Sequence, residues 1–225
     1  MYAKCFKRVI DFTLSLLALI VLSPVLLILI VLGAVKMKGN PFFTQLRPGK
    51  DEKIFKLIKF RTMTCETDAQ GNLLPDAQRL TRYGEVLRST SLDELPELIN
   101  ILKGDMSIVG PRPQLVRDMV FMTPEQRKRH TVRQGLTGLA QCSGRNNMSW
   151  EQKLAYDLAY IENITLWGDI KIIFKTVLKV FQRDGITEEG MATAADFGDY
   201  LLGKGDVTQE EYDSKQTEAK ELLGV

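Results

Sequence analysis

The sequence predicts an α+β chain in three parts: an N-terminal membrane helix interrupted at Ser23-Pro24 (residues 1–38), a mostly helical body with a small β-hairpin (39–187), and an acidic tail with a short helix (188–225). Three observations predict it. Phe12 to Val35 is a run of 24 residues without a charge. Two short alternating segments flank Arg47-Pro48-Gly49-Lys50, and the apolar residues further on recur at helical spacing. The charge is also divided: from Glu188 onward the net is -7, so residues 1–187 hold +9 of a chain total of +2. A basic body suits an anionic partner, and the acidic tail should lie on a different surface.

At about 1.5 Å per residue the apolar run is roughly 36 Å long, enough to cross a bilayer core. It is too long for a signal peptide and lacks a small-residue cleavage site. Pro24 cannot donate to the carbonyl of Ile20, and the Ser23 hydroxyl is near enough to replace that bond. Lys4, Lys7 and Arg8 precede the run, and Lys36 and Lys38 follow it. Basic flanks favour the cytoplasm. Two geometries therefore stay open, a proline-kinked span and a helix that enters and returns.

Asn40-Pro41 ends this element. Phe42–Leu46 and Lys53–Arg61 read as strands joined by the Arg47–Lys50 turn. Residues 64–78 read as a loop. Leu80–Arg88 reads as a helix, and Ser91 opens another that runs to Lys103 and stops at Gly104. A loop or short strand spans 104–113, then helices span Gln114–Met122 and Pro124–Thr131. Gly135–Gly138 reads as a turn. Ser149 caps a helix from Trp150 to Glu162, and an amphipathic helix runs from Leu166 to Arg183.

Residues 91–102 carry the candidate chemistry. Leu92, Leu95, Leu98, Ile99 and Leu102 form an inward stripe, with Asp93, Glu97 and Asn100 on the other side. Ser91 and Glu94 have the spacing of a capping box, and Asp93 suits a helix start. Spacing alone favours that capping role. The alternative is that Asp93, among Lys and Arg, attacks a phosphoryl group while Glu94 holds Mg²⁺ or handles protons. Arg112 lies between Pro111 and Pro113, which aim its guanidinium. Gly144-Arg145-Asn146 follows a turn and can present Arg145 to an anion. Asp157 and Asp169 fit caps or ion pairs, and Trp150 and Trp167 fit core or interface. His130 fits a basic surface helix beside anionic lipid. Cys5, Cys65 and Cys142 have no paired spacing, which argues against a disulfide framework or zinc site and fits a reducing, cytosol-facing body. Phosphate-loop, dinucleotide and nucleic-acid motifs are missing, so no nucleic-acid partner is expected.

Lys7-Arg8-Val9-Ile10-Asp11, Ser23-Pro24, Arg47-Pro48-Gly49, Lys59-Phe60-Arg61-Thr62-Met63, Ser91-Leu92-Asp93-Glu94-Leu95-Pro96, Val109-Gly110-Pro111-Arg112-Pro113 and Gly135-Leu136-Thr137-Gly138 occur in one order. In this the chain resembles the bacterial sugar transferase family, the monotopic phosphoglycosyl transferases, over about residues 1–187. The resemblance implies a re-entrant membrane helix broken at Ser23-Pro24 and a catalytic domain over 39–187 on the cytoplasmic face of a bacterial inner membrane. It implies transfer of a sugar 1-phosphate from a UDP-sugar to polyprenyl (undecaprenyl) phosphate with release of UMP, in ping-pong steps. Carried over, Asp93 is the nucleophile and Glu94 assists it, the two holding Mg²⁺. Lys59, Arg88, Arg112 and Arg145 would grip phosphates, and Asp157 and Asp169 would support the site. Gly185 to Phe197 is similar to small members that use UDP-N,N′-diacetylbacillosamine in protein glycosylation, which adds Phe197 to the substrate candidates. The tail resembles a short C-terminal helical module of the SHOCT type, implying self-association or a glycosyltransferase partner. A catalytically silent membrane scaffold is the rival class, and intact Asp93, Glu94 and Arg112 argue against it.

Overall fold

The computed structural model describes residues 2–144, 148–182 and 195–224. A π-helical turn, Tyr2–Phe6, leads into α1 (Lys7–Lys36). The expected interruption at Ser23-Pro24 does not end the helix, which continues through Pro24. The Ser23 hydroxyl donates to the Ile20 carbonyl at 2.7 Å, replacing the bond that proline cannot make. α1 is long and apolar enough to cross a membrane. Its apolar side is not uniform, however. Ala18, Leu19 and Leu22 pack on a core of Leu57, Leu98, Ile101 and Met106, and Leu26, Leu29 and Ile30 pack beside Phe60 and Leu87.

The polar ends of α1 are pinned to the body. Asp11, 3% exposed, accepts from the Ser107 hydroxyl at 2.7 Å and from Ile108 N–H at 3.0 Å. The Arg8 guanidinium donates to the carbonyls of Ile101 and Leu102 at 2.6 and 2.8 Å, satisfying the end of α4 (Glu97–Lys103). Toward the other end, the Tyr83 hydroxyl donates to Leu29 O at 3.0 Å.

The hairpin is formed by β1 (Phe42–Pro48) and β2 (Ile54–Phe60), antiparallel, with Phe42 opposite Phe60 and Pro48 opposite Ile54. Its turn lies later than expected, at Lys50–Glu52, where Asp51 and Glu52 take positive φ. α2 (Asp76–Arg79) and α3 (Arg82–Ser89) come after the loop.

The expected helix from Ser91 is divided. Ser91 is left-handed at φ 56° and makes no cap. A 3-10 turn covers Leu92–Glu94, and α4 begins at Glu97. The capping box is therefore not formed, because Glu94 is held by cations. The shift rotates the helix face: Glu97 and Asn100, expected outside, are buried. Asn100 turns inward because the hairpin edge has unpaired backbone groups. Its amide accepts from Ile58 N–H at 3.1 Å and donates to Lys56 O at 2.8 Å.

Gly135–Gly138 is likewise no simple turn. β3 (Met106–Val109) pairs in parallel with β4 (Gln134–Thr137). A Cβ on Gly135 would come within 2.1 Å of Gly110 N, so both chains need glycine here. α5 (Val116–Met119) is shorter than expected, and α6 (Pro124–Arg127) continues as a 3-10 turn. His130 is not a lipid-facing surface residue. It is 1% exposed, and burial followed by the Arg129 charge pushes its pKa down to about 3.

α7 (Leu139–Ser143), α8 (Trp150–Glu162) and α9 (Leu166–Gln182) complete the body, with Ser149 capping α8 as expected. Trp150 is buried, whereas Trp167 is 71% exposed. The tail forms α10 (Phe197–Lys204) and α11 (Gln209–Leu223), the latter with a Thr208–Glu211 capping box.

Candidate active site

Four segments meet at the 3-10 turn. β2 supplies Lys59, the end of α3 supplies Arg88, the turn itself supplies Asp93 and Glu94, and the arm between β3 and α5 supplies Arg112. The parallel strand pair aims that arm. Gly110 N–H donates to Thr137 O at 2.9 Å, and Gly135 N–H donates to Pro111 O at 2.8 Å. Pairing thus continues to the residue before Arg112, and Pro113 stiffens the backbone on its other side.

Lys59 Nζ and Arg112 Nη2 both donate to Glu94 Oε1, each at 2.7 Å. Burial opposes ionisation of Glu94, but the charges of Arg112 and Lys59 win and hold it well below the usual carboxylate range. Lys59 also lies 3.2 Å from Glu97 Oε1. Burial would lower the Lys59 pKa, yet the two glutamates raise it, so it stays a cation. Burial, and then the charge of Glu94, push Glu97 up to about 7.

Asp93 differs from its neighbour. Among the described residues no cation lies within ion-pair distance of it. Burial and the Glu94 charge push it up to about 6, against the pull of Lys59, Arg112 and Arg88. The turn therefore holds one carboxylate that is tightly paired and one that is unpaired among the described residues, half-buried and more basic than usual. A more basic carboxylate that is still ionised near neutrality is suited to nucleophilic attack.

The arm is also braced from behind. Arg129, fully buried, donates from Nη2 to the Arg112 carbonyl at 2.5 Å, and from Nε and Nη2 to Asp157 Oδ2 at 2.9 and 2.7 Å. Asp157 thus reaches the site through Arg129 and not through a ligand. Arg88 is oriented by the Thr62 hydroxyl, 3.1 Å from its Nε.

The structure therefore brings together Lys59, Arg88, Asp93, Glu94 and Arg112, with Asp157 behind them. Two other candidates lie in different contacts. Asp169 accepts from Tyr2 and Tyr160 hydroxyls at 2.6 and 2.9 Å and from Lys7 at 2.5 Å, tying α9 to the N-terminal turn. Phe197 is 3% exposed, its ring 5.0 Å from that of Trp150, so it joins the tail to the body and is closed to substrate. Arg145 lies outside the described residues, as do residues 185–194 of the segment that resembles the diacetylbacillosamine-using members. Glu97 and Arg129 are site residues that the sequence reading does not single out. The signal for Glu97 is Pro96: proline favours the first turn of a helix, and restarting the helix there turns Glu97 inward.

The model for the bacterial sugar transferase family matches residues 2–183. EpsL, an uncharacterised sugar transferase of Bacillus subtilis, is 45% identical over 202 residues, 90% of this chain and 98% of EpsL. A UDP-glucose:undecaprenyl-phosphate glucose-1-phosphate transferase of Klebsiella pneumoniae is 41% identical over 186 residues, 78% of this chain and 40% of its own length. An undecaprenyl-phosphate galactose phosphotransferase of Salmonella typhimurium is 34% identical over 200 residues, 81% of this chain and 42% of its own. The chain thus spans about two fifths of the last two relatives. The chain belongs to the bacterial sugar transferase family, and so is a transferase.

Proposed function

We propose that the chain transfers a sugar 1-phosphate from a UDP-sugar to undecaprenyl phosphate in two steps through Asp93. In the first, an Asp93 oxygen attacks the phosphorus that bears the sugar. The new P–O bond to Asp93 forms as the P–O bond to UMP breaks, and UMP leaves with that electron pair. In the second, a phosphate oxygen of the lipid carrier attacks the same phosphorus, and the Asp93 carboxylate leaves. Both steps bring anions together, so the charges of Lys59, Arg88 and Arg112 are what make the approach feasible. The observation that carries the reading is the Asp93 carboxylate, without an ion-pair partner among the described residues, beside a Glu94 already neutralised by two cations.

The same turn suits Mg²⁺. Two adjacent carboxylates supply hard oxygen donors, and one of them, Asp93, has no ion-pair partner among the described residues. Asp93 and Glu94 would hold it, with phosphate oxygens and water filling the remaining positions. Bound there, it would supply charge neutralisation at the transferring phosphate.

Support for a membrane-bound, re-entrant placement comes from α1. Contacts with the body run from Arg8 and Asp11 at one end to Leu29 at the other. A helix held to one domain near both ends fits a placement in the near leaflet better than a crossing. α9 adds an exposed apolar face, Trp167, Ile170 and Phe174, beside Lys171 and Lys175, which fits an anionic bilayer surface. The site then faces the cytoplasm, where UDP-sugars are found, at the inner membrane.

For the donor sugar two readings have support. The resemblance around 185–197 favours N,N′-diacetylbacillosamine. The named relatives favour a hexose, and their similarity covers far more of the chain. Release of UMP from a panel of UDP-glucose, UDP-galactose, UDP-N-acetylhexosamines and the diacetamido sugar separates them. Intact-protein mass spectrometry after adding donor without acceptor tests the reaction itself. A mass gain of one phosphosugar is expected in the native chain and none in Asp93→Asn, whose turnover should fall on the order of 10³-fold or more. An adduct that persists in Asp93→Asn would remove Asp93 as the nucleophile.

A further inference from the structure

The family match ends at residue 183, and the tail beyond it closes on the element that comes after the Arg112 arm. α5 begins four residues after Arg112 and has only four residues, too few to be stable alone. Its place is set by its neighbours. On the hairpin side Arg47 Nη1 donates to Pro113 O at 3.2 Å. On the other side lies the tail. Ala219 of α11 is buried among Val116, Met119 and Val120, and Phe121 meets the Tyr212 ring at 5.7 Å. Gly198 fits so closely that a Cβ there would come within 2.5 Å of the Phe121 ring. The Trp150 indole donates to Ala195 O at 3.1 Å, and Arg117 pairs with Asp196.

One buried carboxylate joins the two systems. Asp118, 2% exposed, accepts from Leu115 N–H at 2.9 Å through Oδ2, closing the start of α5. Through Oδ1 it accepts from Phe197 N–H at 2.9 Å, closing the start of α10. The arm and the tail thus share a single acceptor group, and removing the tail leaves half of a buried carboxylate unsatisfied.

We propose that the tail, residues 195–224, is an internal splint for the Arg112 arm, and that Asp118 is the positioning residue through which it acts. The tail touches none of the reacting groups. It fixes α5, and α5 fixes the angle at which Arg112 reaches Glu94 and the donor phosphates. The kinetic part of this inference rests on the phosphosugar-transfer reading; the structural part does not.

The test uses the full chain in membranes with Gly198→Val, Asp118→Asn, Asp118→Ala and Arg117→Gln. Hydrogen exchange is followed at residues 113–120 and 195–204, together with the single-turnover rate of adduct formation and its dependence on donor concentration. With Gly198→Val, exchange should quicken in both segments. The donor concentration for half-maximal rate should rise about tenfold, as expected when one charge-assisted hydrogen bond to the donor is misaimed. Asp118→Asn keeps one acceptor oxygen and should be milder than Asp118→Ala. If Gly198→Val does not fold, Arg117→Gln loosens only the Asp196 pair and supports the same two measurements. Faster exchange confined to 195–204, or coupled exchange with unchanged adduct formation, overturns the proposal. If the native chain forms no adduct with any UDP-sugar, the reaction reading fails, and coupling of the two exchange segments alone decides this one.

Discussion

Asp93 and Glu94 are adjacent carboxylates with opposite fates. Glu94 lies between two cations and is ionised at any working pH, whereas Asp93 is pushed up to about 6 by burial and by the Glu94 charge. An attacking carboxylate must be ionised, so the single-turnover rate should fall as pH drops through about 6. Glu94→Gln removes the negative neighbour and frees Lys59 and Arg112 to act on Asp93. Both changes favour the Asp93 carboxylate, so the acid limb should move down by about one pH unit. The rate itself should drop roughly 10²-fold, because a better-paired Asp93 is a poorer nucleophile and Arg112 loses its anchor. A pH series of adduct formation in both proteins checks this. An acid limb that moves upward in Glu94→Gln would mean that the Glu94 charge does not add to burial in raising Asp93.

At the scale of elements, the arm is only as well aimed as the strand pair beneath it. Gly110 and Gly135 meet backbone to backbone, and a methyl group on Gly135 would stand 2.1 Å from Gly110 N and 2.4 Å from Thr137 O. Neither atom belongs to a flexible side chain, so β3 and β4 must part. Gly135→Ala should cost about 2–4 kcal/mol in urea unfolding and slow adduct formation with it. Gly39, where an added methyl group would meet nothing within 4 Å, serves as control, and Gly39→Ala should leave both unchanged. The Gly110–Gly135 approach explains what was legible in sequence and what was not. The hairpin, the cap at Ser149, the stop at Gly104 and the Thr208–Glu211 box are local, and each is written in neighbouring residues. The parallel pairing of 106–109 with 134–137 joins segments far apart in the chain, and a four-residue strand ending beside glycines reads locally as a turn. The helix expected from Ser91 is divided for a related reason: Glu94 has a capping spacing, but Lys59 and Arg112, distant in sequence, compete for its carboxylate and win. Asp93 and Glu94 are visible as a pair, but Glu97 and Arg129 become site residues only through such distant partners.

The whole molecule is organised around how α1 lies against the body. Two of the three cysteines are exposed, and they fall on either side of the apolar run: Cys5 just before α1 and Cys65 in the body after the hairpin. They are natural reporters of topology. A spanning helix would put Cys5 on the far side of the membrane from Cys65. A helix that dips and returns leaves both on one side. The contacts at Arg8 and Asp11 fit the second arrangement, because Ile101, Leu102, Ser107 and Ile108 belong to the same body as the hairpin. A membrane-impermeant maleimide should therefore label both cysteines in inside-out vesicles and neither in sealed right-side-out vesicles, while buried Cys142 stays unlabelled until the chain is unfolded. Cys5→Ser and Cys65→Ser assign the two signals. Asp11→Ala sharpens the experiment. It strands the Ile108 N–H and leaves the Ser107 hydroxyl only the Val109 carbonyl, at a cost of about 1–3 kcal/mol, and loosens the start of α1 without altering its apolar length. If Cys5 labelling moves to the opposite face in that variant alone, the body's hold on Asp11 opposes crossing. If Cys5 already labels from the opposite face in the native chain, α1 spans the bilayer, and the packing at its start must yield in the membrane.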